Sequence, residues 1–198
     1  SYQGTHSSLQ RSVSESYGYD AIGRLTQRQA QKQSGIAPTQ TFTTTYGYDV
    51  GNNKLYETQQ EGDEITTQKY VYNGLNQLTS VQIGQGAYSA VSTWIETGSY
   101  TYDAFGNRIS ETQYAYSFEA GNNQLHKQVE YVYDKANQLT AIREKAADAS
   151  DFTVQSQSVY DGTGQRVRKY VGEGGTYEKH YYAGTNPLLQ TTQSGGNV

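Results

Sequence analysis

The chain has 198 residues, a formal net charge of -4 and 17% charged residues, against about 25% in an ordinary globular domain. Its Lys and Arg stand singly, which leaves no basic footprint for nucleic acid, and no apolar run reaches the length of a membrane-spanning helix. With no Cys there is no disulfide, thiolate nucleophile or Cys-ligated metal.

Neutral polar and aromatic residues fill the gap: 22 Gln, 22 Thr, 21 Gly and 20 Tyr. A thick aliphatic core is not available from this composition, whereas Tyr and Thr suit a pleated, half-buried surface. The expectation is one extended all-β array over residues 1–198 with no second domain. The opening SYQGTHSSLQ has neither a basic n-region nor an apolar core and begins with Ser, as a processed or excised piece would.

In chain order the elements repeat. They read YGYDAIGRL from Tyr17, YGYDVGNNKL from Tyr46, YVYNGLNQL from Tyr70, YTYDAFGNRI from Tyr100, YSFEAGNNQL from Tyr116, YVYDKANQL from Tyr131, SVYDGTGQRV from Ser158 and HYYAGTNPL from His180. The aromatic before each turn falls at 19, 48, 72, 102, 118, 133, 160 and 182, in steps of 29, 24, 30, 16, 15, 27 and 22. The next residue is Asp20, Asp49, Asn73, Asp103, Glu119, Asp134, Asp161 or Ala183. Asp and Asn there accept an N–H two residues on, as at the first position of a type I turn. Three residues later come Gly23, Asn52, Asn76, Gly106, Asn122, Asn137, Gly164 and Asn186. Gly and Asn tolerate positive φ, so the pattern predicts a type I turn closed by a left-handed residue, a standard hairpin connection.

The aromatics in Tyr17/Tyr19, Tyr46/Tyr48, Tyr70/Tyr72, Tyr100/Tyr102, Tyr116/Phe118 and Tyr131/Tyr133 are two apart and share one strand face, with Tyr160 and Tyr182 continuing the series. The spacing predicts an aromatic ladder in which Tyr48, Tyr72, Tyr102 and Tyr133 are mostly buried against apolar neighbours. Further reversals are expected at Ser34–Gly35, Glu61–Asp63, Gly84–Gly86 and Gly172–Gly175, and a single helical turn in the EKAADA segment at 144–149. Eight hairpins make about 14 to 18 strands, a strip of roughly 70 to 85 Å at about 4.8 Å per strand.

These copies resemble the YD repeat of RHS (rearrangement hot spot) proteins, Tyr-x-Tyr-Asp-x-x-Gly-Arg-Leu; YGYDAIGRL from Tyr17 matches every motif position, and the likeness covers about residues 15 to 190. The resemblance implies an antiparallel strip of hairpins spiralling into a hollow shell. RHS toxins, the C component of insecticidal toxin complexes and teneurins have such shells. In bacterial members the shell encloses a toxic polypeptide, and an Asp-Pro core region cleaves itself. Here neither Pro38 nor Pro187 follows an aspartate, so no self-cleavage residues carry over.

No catalytic, cofactor-binding or metal-ligating residue is assigned, and no cofactor is expected. His6, His126 and His180 are isolated, and Trp94 reads as strand core. The repeated Asp residues read as turn caps, because catalysis needs one unlike pair and not many equivalents. The leading expectation is a non-enzymatic shell segment of an exported or cell-surface bacterial protein, with further repeats, other copies or an enclosed polypeptide as partners. A surface module that stacks carbohydrate on exposed Tyr, and a self-assembling filament, are the alternatives.

Overall fold

The structure is a computed structural model that describes residues 11–34, 38–172 and 176–194. Two compact units make it up, one running to Glu96 and including Ser117–Asn122, the other Thr97–Tyr116 and Asn123 onward. The first strands are β1 (Arg11–Tyr19), β2 (Leu25–Ser34), β3 (Gln40–Tyr48), β4 (Lys54–Glu61), β5 (Glu64–Tyr72), β6 (Leu78–Gln85) and β7 (Ile95–Tyr102). They continue as β8 (Arg108–Ser117), β9 (Asn122–Tyr133), β10 (Leu139–Ala146), β11 (Thr153–Tyr160), β12 (Arg166–Val171), β13 (Thr176–Ala183) and β14 (Asn186–Ser194). All fourteen lie in sequence order in one open antiparallel sheet, so every strand pairs with its chain neighbours. Among the described residues there is no helix.

Strand order follows from local chemistry. Each Asp-type turn returns the chain beside itself, and Thr, Tyr and Val extend the backbone. The ladder slips by one residue beside each of these turns, as at Gly18/Tyr19, Gly47/Tyr48 and Val159/Tyr160. The extra residue of two such bulges is Thr79 or Thr140, whose hydroxyl donates across the hairpin to the carbonyl of Val71 (3.1 Å) or Val132 (3.0 Å).

Five apolar side chains are buried among the described residues: Ala30, Ile83, Ile95, Val129 and Ala141. A single sheet has no second layer to seal a ladder, so Tyr48, Tyr72, Tyr102 and Tyr133 have most of their surface covered but are not fully buried. In the first unit the face opposite the paired tyrosines is neutral, carrying Gln27, Gln29, Thr43, Thr45, Thr58 and Thr67, with Lys69 the exception. The connection from β6 to β7 folds over that face. A Cβ on Gly84 would stand 2.3 Å from Val91 Cγ1, Tyr56 and Tyr88 stack at 4.3 Å, and Trp94 leans on Tyr88 at 5.8 Å.

Several expectations need correction. Trp94 precedes β7 and covers the sheet instead of sitting in a strand. Gly84 lies inside β6, and the reversal runs through the residues after Gln85. The segment at 144–149 is no helical turn: β10 continues to Ala146, paired with Lys127 on β9, before a turn closed by the Ala149 N–H on the Ala146 carbonyl (3.1 Å). His6 and parts of the reversals at Ser34–Gly35 and Gly172–Gly175 lie outside the described residues.

Candidate functional site

The residues of the repeat gather at one end of the strands, the end that joins each odd strand to the following even one. In Asp20 the side chain accepts the N–H of Ile22 (3.1 Å) and of Arg24 (2.9 Å). The same Oδ1 pair recurs at Asn73 to Leu75 and Gln77, at Asp103 to Phe105 and Asn107, at Asp134 to Ala136 and Gln138, and at Asp161 to Thr163 and Gln165. Asp49 caps the N–H of Asn53 at 2.8 Å. Positive φ occurs at Gly23, Asn52, Asn76, Gly106, Asn137 and Gly164.

The copy at Tyr116 and Phe118 is different: it lies between β8 and β9, at the opposite end of the strands. Phe118 lines a shallow groove with Asp63, Glu64 and Gln85, at the far end of β5 and β6 from the Asp turns. Here the left-handed residue is Gly121 (φ 62) and not Asn122, which opens β9. Glu119 is a methylene too long for the Asp role, and the turn slides back one residue, with Gly121 N–H on the Phe118 carbonyl and Ala120 N–H on Ser117 Oγ (3.2 Å). The steps of 16 and 15 carried the signal, since a hairpin array returns to the same end only after two strands. At the last copy Ala183 has no capping oxygen; a two-residue reversal with Gly184 at φ 62 replaces the longer turn, and Asn186 pairs with Ala183. Seven of the eight copies therefore share one end.

Neighbouring turns at that end are bonded to one another. Arg24 Nη1 donates to the Asp49 carbonyl and to Asn52 Oδ1, both at 2.9 Å. Asn53 Nδ2 reaches Asn76 Oδ1 at 2.9 Å. In the second unit Asn107 reaches Asn137, and Gln165 reaches the Gly184 carbonyl. Within the turns, side-chain partners also lower four of the capping carboxyls. The Arg24 side chain keeps the Asp20 carboxyl below the usual aspartate range, and the side chains of Asn53, Asn107 and Thr163 do so for Asp49, Asp103 and Asp161.

The second tyrosine of five copies makes the other joint. Tyr48 donates to the Leu25 carbonyl (2.9 Å), Tyr72 to Lys54 (3.1 Å), Tyr133 to Arg108 (3.3 Å), Tyr160 to Leu139 (2.8 Å) and Tyr182 to Arg166 (3.0 Å). Each acceptor is the residue opposite the previous hairpin's second aromatic: Leu25 faces Tyr19, Lys54 faces Tyr48, Arg108 faces Tyr102, Leu139 faces Tyr133 and Arg166 faces Tyr160. The backbone ladder between hairpins stops short of this point, its last pairs being Gln27↔Thr45, Tyr56↔Lys69, Ala141↔Gln157 and Arg168↔Lys179. The phenol thus takes a carbonyl the ladder leaves open, worth about 1 kcal/mol for a neutral hydrogen bond.

The first tyrosines hold cations. Lys54 sits 5.9 Å from the Tyr46 ring and 4.5 Å from Tyr70, paired with Glu57 at 2.8 Å. Arg108 occupies the equivalent place, 5.4 Å from Tyr100 and 5.0 Å from Tyr131, with Glu111 at 3.5 Å. Tyr17 is exposed and donates to Glu15. The ring faces of Tyr46, Tyr70, Tyr100 and Tyr131 are therefore engaged by the protein's own side chains. Sequence reading missed Asn53, Asn107 and Gln165 as bridges between turns; their position, directly after the left-handed residue, was the available signal. His126 is exposed, and His180 stands 3.9 Å from Glu178. Among the described residues no cluster of three or more His, Asp or Glu is placed to hold a metal.

The tRNA nuclease WapA of Bacillus subtilis (strain 168) is 27% identical over 158 residues, covering 74% of this chain. The chain spans 6% of that relative's length. Among solved structures, the TcdB2-TccC3 crystal structure aligns over 92% of this chain and 14% of its own, at 13% identity and a TM-score of 0.44. The Photorhabdus luminescens Tc holotoxin pore aligns at the same identity and TM-score, over 92% and 13%. No protein-family profile matches the chain.

Proposed function

We propose that the chain is a non-enzymatic wall segment of an RHS-type shell, a single array of hairpins that separates an enclosed polypeptide from its surroundings in an exported bacterial protein. The observation that carries this reading is the employment of the repeat's own residues. Each motif Asp caps a turn, and five second tyrosines tie one hairpin to the next. The residues that define the repeat are thus spent on building a continuous wall. The RHS-like motif supplies the enclosing role, and the WapA relative supplies a setting in which such a stretch belongs to a much longer chain, one named as a tRNA nuclease.

The test is a chimera in which residues 15 to 190 replace an equal number of hairpins in a toxin-complex C component. The reading predicts that the enclosed polypeptide stays protected from added protease. Its digestion while the grafted hairpins remain folded would overturn the reading. The isolated chain is expected to leave tRNA and its own intact mass unchanged on incubation, and cleavage of either would show an activity the wall role does not contain.

A further inference from the structure

Where Lys54 and Arg108 lie on tyrosine rings, a carboxylate completes the contact, Glu57 for the first and Glu111 for the second. β12 and β13 carry the cation and the ring without the acid. Arg168 lies 5.6 Å from the Tyr177 ring and Lys179 4.9 Å from the Tyr181 ring, and the two cations are direct cross-strand partners. Like charges in that relation stand with their Cβ atoms about 5 Å apart and repel. Neither enters an ion pair among the described residues. Glu178 is the acidic residue of these two strands; it pairs in register with Lys169 and lies on the other face, 3.9 Å from His180. On the Arg168 face the paired positions run from Gln157 and Val159 on β11 to Leu189, Thr191 and Gln193 on β14, with no Asp or Glu among them. Arg168 is exposed, and Tyr181 is 38% exposed.

We infer that this face of β12 and β13 binds an acidic polypeptide segment, whose side-chain carboxylates meet Arg168 and Lys179 as Glu57 meets Lys54 and Glu111 meets Arg108. The rings narrow the chemistry. Tyr177 and Tyr181 already carry the chain's own cations, so they offer no open platform on which the bases of a single-stranded nucleic acid could stack. A carboxylate needs only N–H donors, which a guanidinium and an ammonium keep while resting on a ring. The chain as a whole, at a net charge of -4, repels an acidic partner, so the attraction is local to the opposed pair. Two facing cations destabilise the free strands, and a carboxylate between them relieves the repulsion. The inference rests on the wall reading for the source of the segment, the enclosed polypeptide; the site is tested apart from it.

The full chain is titrated at low salt into octaglutamate and octaglutamine carrying the same fluorophore, and binding is read by anisotropy. Octaglutamate is expected to bind and to be released by added salt, and octaglutamine not to bind. Lys179→Glu sets a carboxylate opposite Arg168. It should weaken octaglutamate binding about tenfold or more and raise the melting temperature, because a repelling cross-strand pair becomes an attracting one. Arg168→Gln/Lys179→Gln removes both charges and adds none; it should lose binding too, with its melting curve verifying the fold. Lys135→Gln/Lys145→Gln makes the same change of net charge on other elements and should bind as the parent does. No binding of octaglutamate by the parent, undiminished binding by Lys179→Glu, an equal loss in Lys135→Gln/Lys145→Gln, or tighter binding of an oligothymidylate of the same length would each overturn the inference. Loss of enclosure in the chimera, with octaglutamate bound here, would leave the site standing.

Discussion

The two ends of the strands obey different rules. At the Asp-turn end, one geometry recurs: a side-chain oxygen caps two amides, a left-handed Gly or Asn closes the turn, and a phenol bonds the next hairpin. At the other end each reversal is its own. Gly62 and Asp63 bridge Glu61 and Glu64 in two residues, the connection after Gln85 wraps a face with Tyr88 and Trp94, and Ser117 stands in for a capping Asp. Uniformity is needed only where hairpins bond to one another. Where they merely turn around, length and composition are free, which is why the repeat steps vary while the motif does not.

The largest expected effect lies at the irregular end. Gly84→Leu places a side chain where a Cβ alone meets Val91 at 2.3 Å and the Thr93 carbonyl at 3.0 Å, so the cover must lift, at a cost of about 1 to 3 kcal/mol in denaturant unfolding. At the regular end, Gly106→Val forces a β-branched residue to φ 88 and should cost about 1 to 2 kcal/mol. Space is not the issue at Gly23, another of these turns, where a Cβ would meet nothing within 4 Å. If Gly106→Ala already costs most of that, strain and not bulk is confirmed as the cause; an unchanged midpoint would remove the positive-φ requirement.

Insertion separates the ends more gently. Four residues of Gly and Ser added between Gly62 and Asp63 should lower stability by only a few tenths of a kcal/mol, because loop-closure entropy grows slowly with length. The same insertion after Phe105 breaks the cap from Asp103 to Phe105 and Asn107 and should cost visibly more. Acid offers a reversible version. Asp20, Asp49, Asp103 and Asp161 are held below their unfolded pKa by their capping partners. Their contribution is complete above about pH 4 and is lost as pH falls through the lowered folded values. Amide exchange should therefore accelerate at the Asp turns below about pH 4, ahead of the Gly62 turn.

Local chemistry was legible in the sequence, and register between hairpins was not. An Asp followed by Gly or Asn three residues later announces its turn because donor and acceptor lie within five residues. The Tyr116 copy misled because it has the letters of the motif at half the spacing, with Glu119 where the cap should be. The tyrosine ladder was drawn as aromatics meeting apolar neighbours, yet Tyr48 and Tyr72 meet the backbone carbonyls of Leu25 and Lys54. A carbonyl has no sequence identity, so no pattern of letters points to it. Arg24 and Lys54 were visible as basic residues after the turn, but their places beneath Tyr48 and between Tyr46 and Tyr70 depend on how neighbouring strands pair.

The hairpin joint itself is tested most directly on one strand. Tyr70 and Tyr72 lie two residues apart on the same face of β5; Tyr70 donates to the exposed Gln68 side chain at 3.0 Å, and Tyr72 to the part-buried Lys54 carbonyl at 3.1 Å. Removing each hydroxyl in turn, as Tyr70→Phe and Tyr72→Phe, changes nothing else in composition or face. Equilibrium urea unfolding should show Tyr72→Phe destabilised by about 1 kcal/mol and Tyr70→Phe within about 0.5 kcal/mol of the parent. Equal losses, or a larger loss at Tyr70, would contradict the claim that the second tyrosine is what ties one hairpin to the next.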